Sequence, residues 1–364
     1  MVGGVLHRAF RLTTCLVLSC AALLVPARIH AQERITLAAD LLFYGDNTEF
    51  RNPFREGETI FGTAGWLTAS MDVNDRVNVS LGVFGNQRFG SADAFELVRP
   101  VATLTVRGGG SAFRFGTLPV SDRTMTDPVG GSGPHGLLPP LQRETLAFER
   151  PYEAGLQWTL SRPRIRHDAW LAWQRLNTPE HRERLDAGVA GDVTVSRPFS
   201  LPFQLHVVHE GGQQFAAGPV ADSVAAATGI RITPAVNGLD SAAIELYALA
   251  SRYVPDRQES QRSRDGAAFL GRASAERAGW KAHVLFWRGD DFVKDEGDGN
   301  YQSLGRDGRY YRGVRDYAEA GIARTFRPAP GVALGASFRF HRVEAHYEYS
   351  YRIVGAARLG RRMR

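Results

Sequence analysis

Apolar and polar residues alternate with a period of two along most of the chain. In "VEAHYEYSYRIVGAARL" (Val343 to Leu359), Val343, Ala345, Tyr347, Tyr349, Tyr351 and Ile353 stand against Glu344, His346, Glu348, Ser350 and Arg352. Such a period predicts a β-strand with one apolar and one charged face. "YEAGLQWTLS" sets Tyr152, Ala154, Leu156, Trp158 and Leu160 opposite Glu153, Gly155, Gln157, Thr159 and Ser161. "LDAGVAGDVTVS" sets Leu185, Ala187, Val189, Gly191, Val193 and Val195 opposite Asp186, Gly188, Ala190, Asp192, Thr194 and Ser196, and "VNVSLGVFG" alternates likewise from Val77 to Val83. "AIELYALASRY" (Ala243 to Tyr253) is apolar on both faces for part of its length, which leaves its orientation open.

The alternating spans run to about ten residues, the length needed to cross a bilayer at a tilt, where globular strands average nearer five or six. From Arg34 onward the pattern predicts about sixteen strands, with about fourteen as the alternative. The links fall into two classes that take turns. Tight ones carry turn formers: "VNDR" around Asn74, Gly108 to Gly110, "RPR" at Arg162 to Arg164, "RPFS" at Arg197 to Ser200, "RAG" at Arg277 to Gly279, and "RPAPG" at Arg327 to Gly331. The others are mostly long and polar: Gly45 to Glu58, Pro119 to Glu144, Gly211 to Asp222, Val254 to Asp265 and Asp290 to Val314. Gly90 to Ala94 and the bend near Glu344 are short where a long link is due. A sandwich has no reason to gather long loops at one end, whereas a closed up-and-down barrel does, and closure also removes exposed sheet edges. The fold class expected is therefore all-β: a transmembrane antiparallel up-and-down β-barrel with long external loops and short periplasmic turns.

The first residues give that barrel an address. Arg8 and Arg11 precede the apolar run Leu12 to Val25, and "PARIHA" ends at Ala31 ahead of Gln32. This is the order of a secretory signal peptide over residues 1–31, with the barrel over 32–364. Both cysteines, Cys15 and Cys20, fall inside the leader, so the mature chain is expected to hold no disulfide or thiolate site. "LVLSC" also has the look of a lipoprotein box that would lipidate Cys20, although the apolar run continues past it. The formal net charge of +6 falls to +3 without Arg8, Arg11 and Arg28, and no concentrated basic stripe points to nucleic acid.

In pattern and layout the mature chain resembles bacterial outer-membrane β-barrel proteins of the porin type, over roughly residues 34 to 358. The resemblance implies a passive channel for small polar or anionic solutes, lipid and lipopolysaccharide as surroundings, and assembly as a homotrimer, since general porins are often trimers. It also implies that Pro119 to Glu144, which links the fifth and sixth strands, folds into the barrel and narrows it. The final strand is expected to stop between Ile353 and Leu359, before the basic "RLGRRMR" tail.

Candidate chemistry follows from this layout. The inward loop carries Asp122, Arg123, Asp127, His135, Arg143 and Glu144, acids and bases that could set up a transverse field at a constriction, or simply meet water as a surface loop. By alternation Arg107, Arg114, Lys281, His283, Arg339, His341, His346, Glu348 and Arg352 line the lumen, with bases in excess. That excess favours anions, although any barrel interior needs mixed charge to stay hydrated. Trp66, Phe113, Phe115, Trp158, Trp280, Phe338 and Tyr347 are expected in aromatic girdles facing lipid. "HEGGQ" at His209 lacks the second histidine of a zincin, His206 and His209 fall on opposite strand faces, and neither a nucleophile elbow nor a phosphate loop occurs. "DDFVKDEGDGN" (Asp290 to Asn300) is acidic without calcium-loop spacing, though a divalent ion shared with lipopolysaccharide phosphates could sit there. These signals lead to the expectation of no enzyme activity, no metal and no cofactor. The alternative function is a plugged barrel acting through its external loops, with Pro119 to Glu144 and Asp290 to Val314 filling the lumen.

Overall fold

The computed structural model describes residues 35–119, 133–212, 214–215 and 218–362. Asp122, Arg123, Asp127 and residues 1–31, the expected leader, lie outside them. Sixteen strands follow one another: β1 (Ile35–Glu49), β2 (Glu58–Asp72), β3 (Val77–Arg88), β4 (Leu97–Gly108), β5 (Ser111–Thr117), β6 (Ala154–Ser161), β7 (Ile165–Arg175) and β8 (Glu183–Ser196) in the first half. The second half adds β9 (Phe199–Gly211), β10 (Ala221–Ile232), β11 (Ser241–Val254), β12 (Arg264–Arg277), β13 (Trp280–Asp290), β14 (Arg315–Ala329), β15 (Val332–Val343) and β16 (His346–Arg362). Each pairs antiparallel with its chain neighbours, and β1 closes the barrel on β16.

The direction of the side chains decides the solvent. Tyr347, Tyr349 and Tyr351 of β16 are 69%, 44% and 42% exposed on the outer wall, while Glu348 and Arg352 between them are 6% and 5% exposed in the interior. A soluble protein would reverse this arrangement; a wall wetted by hydrocarbon requires it. Leu81, Val83, Phe113, Phe115, Trp158, Trp280 and Phe338 are likewise exposed outside, and Phe338 stacks on Tyr349 at 6.0 Å as Phe340 does on Tyr347 at 5.9 Å. Trp66 corrects one expectation. It points inward, packed on Phe84 with ring centroids 4.8 Å apart, because Ala64 and Trp66 share the lumen parity of β2 while Phe61 and Leu67 take the lipid side. The ambiguous stretch in β11 also resolves: Glu245, Tyr247 and Leu249 are buried inside, with Ile244 and Leu246 exposed outside.

The two short outer links are real. At the β15–β16 tip, Glu344 adopts the left-handed φ of +53° with no glycine to ease it. Its carboxylate holds the turn, accepting from Arg315 Nε at 3.2 Å and from the Asp316 N–H at 3.3 Å. At the inner end of β4–β5, Gly110 has φ +76°, and a Cβ there would lie 2.7 Å from the Ser161 carbonyl. β16 runs on to Arg362, opposite Thr36, and so exceeds the expected end between Ile353 and Leu359.

Three outer loops fold into the lumen. Phe54 from the β1–β2 link, Leu137, Leu138 and Leu141 from β5–β6, and Phe292 and Tyr301 from β13–β14 are buried. They join Trp170, Tyr247, Trp287 and Tyr317 of the wall in one apolar cluster. The β5–β6 link includes the short helix α1 (Leu146–Glu149), whose Phe148 stacks on Tyr44 at 5.1 Å. A hydrated pore has no reason to place a dry core between opposite walls, so these segments act as a plug for the half of the barrel bearing long loops. The other half keeps a cavity of about 860 Å³ lined by Thr68, Ser80, Arg107, Arg114, His135 and Glu153 among others.

Candidate functional site

Three adjacent strands bring polar side chains to one patch of the inner wall. Alternation alone places Tyr317, Glu319 and Gly321 of β14, Arg339 and His341 of β15, and Glu348, Ser350 and Arg352 of β16 on the lumen side, with Glu319 opposite His341 and Arg339 opposite Ser350. Gly321 is the clearance that allows it. A Cβ there would come 2.4 Å from the His283 ring and 2.9 Å from Arg339 Cγ.

The hydrogen bonds of this patch form a chain with one consistent set of proton positions. Tyr317 Oη lies 2.7 Å from Glu319 Oε2, which can only accept, so the phenol donates there. His341 Nδ1 lies 2.7 Å from the same Oη, and with the phenol proton already committed the imidazole is the donor. His341 Nε2 lies 2.8 Å from the Ser350 hydroxyl, and accepts from it in the tautomer protonated at Nδ1. This assignment comes from the network, as tautomers do. Glu319 also accepts from His283 Nε2 at 2.7 Å and lies 3.9 Å from Arg339. The result is a serine hydroxyl bonded to an imidazole that is oriented by an acidic partner, the arrangement nucleophilic catalysis requires.

The plug supplies the rest. Glu144 reaches down to accept from Arg339 at 2.7 Å and Arg352 at 3.1 Å, and Arg352 also binds Asp46 at 2.5 Å. Burial works against the Glu144 charge, but Arg339 and then Arg352 outweigh it and hold its carboxyl at about 2. Phe50 covers His341 edge-on at 4.9 Å. Asn52 fixes that loop: its Oδ1 accepts from the Phe54 and Arg55 N–H groups at 2.9 Å, and its Nδ2 donates to Glu348 at 2.6 Å and to Asn300 at 3.1 Å. Arg55 pairs with Asp298. Between these groups lies a cavity of about 20 Å³, lined by Phe50, Arg55, Glu144, Arg339, Ser350 and Arg352 among others. That is room for about one water.

Of the residues expected at a constriction, His135, Arg143 and Glu144 are in the lumen, while Asp122, Arg123 and Asp127 lie outside the described residues. His135 bridges Glu153 at 2.8 Å and Asp168 at 3.0 Å and stacks flat on Trp170 at 3.8 Å. Burial disfavours its charge, yet Glu153 and Asp168 raise it to about 10, so it stands as an imidazolium. Arg143 pairs with Glu149 at 2.5 Å. Arg107 and Arg114 line the large cavity, and Lys281 and His283 face inward on β13. His346 stands exposed at the outer hairpin rather than in the interior. Glu348 and Arg352 are buried as alternation places them. Sequence reasoning missed Tyr317, Glu319 and Ser350, which no motif connects. The signal for them was their lumen parity.

Comparison with known proteins bears on both fold and chemistry. The loop-deleted OmpT of Vibrio cholerae aligns at a TM-score of 0.54 with 10% identity, covering 89% of this chain and 99% of that one. The trimer form of the same organism's OmpT gives 0.52 and 10%, covering 89% and 99%. OccK8 (OprE) of Pseudomonas aeruginosa gives 0.51 and 13%, covering 90% and 98%. At such identities the likeness is one of fold: an outer-membrane barrel of the porin type. No curated protein matches the sequence. A family model described as lipid A 3'-O-deacylase-type matches residues 27–354. This corrects the expectation of no enzyme activity, because the family is one of enzymes, and short motifs failed to find it since barrel strands bring reacting groups together only in three dimensions. The match spans most of the chain, from residue 27 into the last strand, and the chain belongs to the lipid A 3'-O-deacylase-type family.

Proposed function

We propose that the protein is an outer-membrane ester hydrolase acting on an acylated glycolipid of the lipid A kind, with Ser350 as nucleophile and His341 as general base. The observation that carries this reading is the Ser350 hydroxyl 2.8 Å from His341 Nε2. Attack of Oγ on the ester carbonyl passes its proton to Nε2. The alcohol leaves as it takes that proton, and water then releases the fatty acid from the serine by the same route in reverse. Tyr317 and Glu319 orient His341. Arg339 and Arg352, which line the same cavity, are the groups to hold the oxyanion or a lipid phosphate. The resting cavity admits only water, so the substrate reaches Ser350 when the β1–β2 loop carries Phe50 away from His341. Purified barrel in detergent micelles should release free fatty acid from lipid A, and Ser350→Ala and His341→Ala should each lower that rate at least about a thousandfold. Equal rates in wild type and both variants would remove the assignment.

A second reading, passage of small polar or anionic solutes, is favoured by the 860 Å³ cavity with Arg107 and Arg114 on its wall. Here Arg107, Arg114, Lys281, His283, Arg339, His341, Glu348 and Arg352 are the pore-lining groups, and His135, Arg143 and Glu144 narrow the lumen. A planar bilayer holding the purified protein decides it. Steady current in the resting state supports passage, and silence supports the sealed barrel. Under either reading residues 1–31 serve as the export signal, lipid and lipopolysaccharide surround the wall, and three copies assemble as in the trimer form of OmpT.

A further inference from the structure

Away from the Ser350 patch, the plug meets the wall at a second buried cluster. Asp186 of β8 and His206 of β9 face the lumen, and the β13–β14 segment lowers Glu296 onto them. One donor atom from each lies within 4.8 Å of the others, and the residues are 1%, 0% and 6% exposed. The outer atom of every ligand is already held. Asp186 Oδ1 accepts from Trp170 Nε1 at 2.7 Å, and His206 Nδ1 donates to the Leu141 carbonyl at 2.9 Å. One Glu296 oxygen, Oε1, takes Arg150 at 2.7 Å and Arg184 at 3.0 Å. Of the inner atoms, His206 Nε2 bonds Asp186 Oδ2 at 2.8 Å, and Gln174 Nε2 also approaches that oxygen at 3.4 Å, while Glu296 Oε2 is sealed from water with no hydrogen-bond partner. Gln142, 1% exposed, contributes another unpartnered oxygen, Oε1, while its Nε2 lies 3.4 Å from Asp186 Oδ2.

We propose that Asp186, His206 and Glu296 bind a divalent transition-metal ion of the zinc or manganese kind, which ties the plug to the barrel wall. One imidazole nitrogen with two carboxylate oxygens is a donor set for such ions, and outer partners that fix each ligand are what a metal site needs. Donors sharing one tetrahedral ion at about 2.1 Å stand about 3.4 Å apart, so the ligand atoms, within 4.8 Å of one another, draw in by up to about 1.4 Å on binding. Turning the Gln142 amide would bring Oε1 to a fourth position. No single stretch of sequence carries the set, since its three members come from two wall strands and a loop.

The full barrel in detergent, stripped with chelator and titrated calorimetrically with Zn²⁺ or Mn²⁺, tests this. One ion per chain is expected, with affinity at least 100-fold weaker in His206→Ala and Glu296→Gln, and with protease cleavage within residues 291–304 slowed by the ion. Binding that is absent, or unchanged in both variants, or no tighter than that of Ca²⁺, overturns the proposal. Retention of heat-modifiable gel migration checks that each variant folds. If either does not, the wild-type protein decides with Co²⁺: visible d–d bands at one equivalent support the site, and their absence sinks it. The readouts are metal content and plug protection, so their failure leaves the hydrolase reading untouched, and its failure leaves them.

Discussion

Replacing Glu144 by glutamine should loosen the plug without dissolving the barrel. The side chain is 8% exposed, and one oxygen takes both Arg339 at 2.7 Å and Arg352 at 3.1 Å. Arg352 would keep Asp46, but Arg339 would be left with Glu319 at 3.9 Å. Two routes give the size of the effect. A carboxyl held at about 2 instead of its ordinary 4.5 corresponds to about 3 kcal/mol of preference for the seated plug. Removing one partner of a buried ion pair costs about 3–5 kcal/mol. About 3 kcal/mol raises the unseated population roughly 100-fold. The strand ladders carry the barrel itself, so hydrogen exchange followed by mass spectrometry should speed up about 100-fold at amides 133–149 and stay unchanged in β14 to β16. The pH dependence has a definite sign. A depressed folded-state value means that the stabilisation is present above about 4.5 and is lost as pH falls toward about 2, and Glu144→Gln should lack that loss. Exchange at 133–149 equal to wild type at pH 7 would refute the reasoning.

Other perturbations follow from the same geometry. Gly321→Ala drives a methyl into the His283 ring and Arg339, and should abolish hydrolysis while leaving gel migration of the folded barrel unchanged. Ile353→Arg, at a position 63% exposed to lipid, should lower stability in vesicles by about 2–4 kcal/mol in denaturant unfolding, whereas the same change in water would be nearly free. His135 is raised to about 10, so its stabilisation is complete below about 6.5 and lost as pH rises through about 10. Exchange near residues 133–138 should accelerate over that interval, and His135→Gln should be insensitive to it.

The barrel was readable because lipid imposes a period on every strand, and loop length tells one end from the other. Tyr347, Tyr349 and Tyr351 stand outside and Glu348 and Arg352 inside as their parity requires. Aromatic identity was a poorer guide than parity: Trp66 is as apolar as Trp158 yet packs inside on Phe84, in a second apolar cluster with Leu42, Tyr44 and the plug's Phe148. Arg339, His341 and Arg352 were legible as lumen groups for the same reason. Their chemistry was not. Ser350 and Glu319 have no neighbouring motif, and they meet His341 only through the registers of β14, β15 and β16. Asn52 was equally hidden, a polar loop residue whose complete burial depends on Glu348 and Asn300, hundreds of positions away.

The claim underlying the account is that Ser350 is an activated nucleophile, and covalent trapping tests it most directly. Wild-type barrel in detergent treated with an alkyl fluorophosphonate should gain one phosphonyl mass per chain, mapped by peptide sequencing to Ser350 and lost in His341→Ala. A chain that stays unmodified, or one labelled to the same extent without His341, would contradict it.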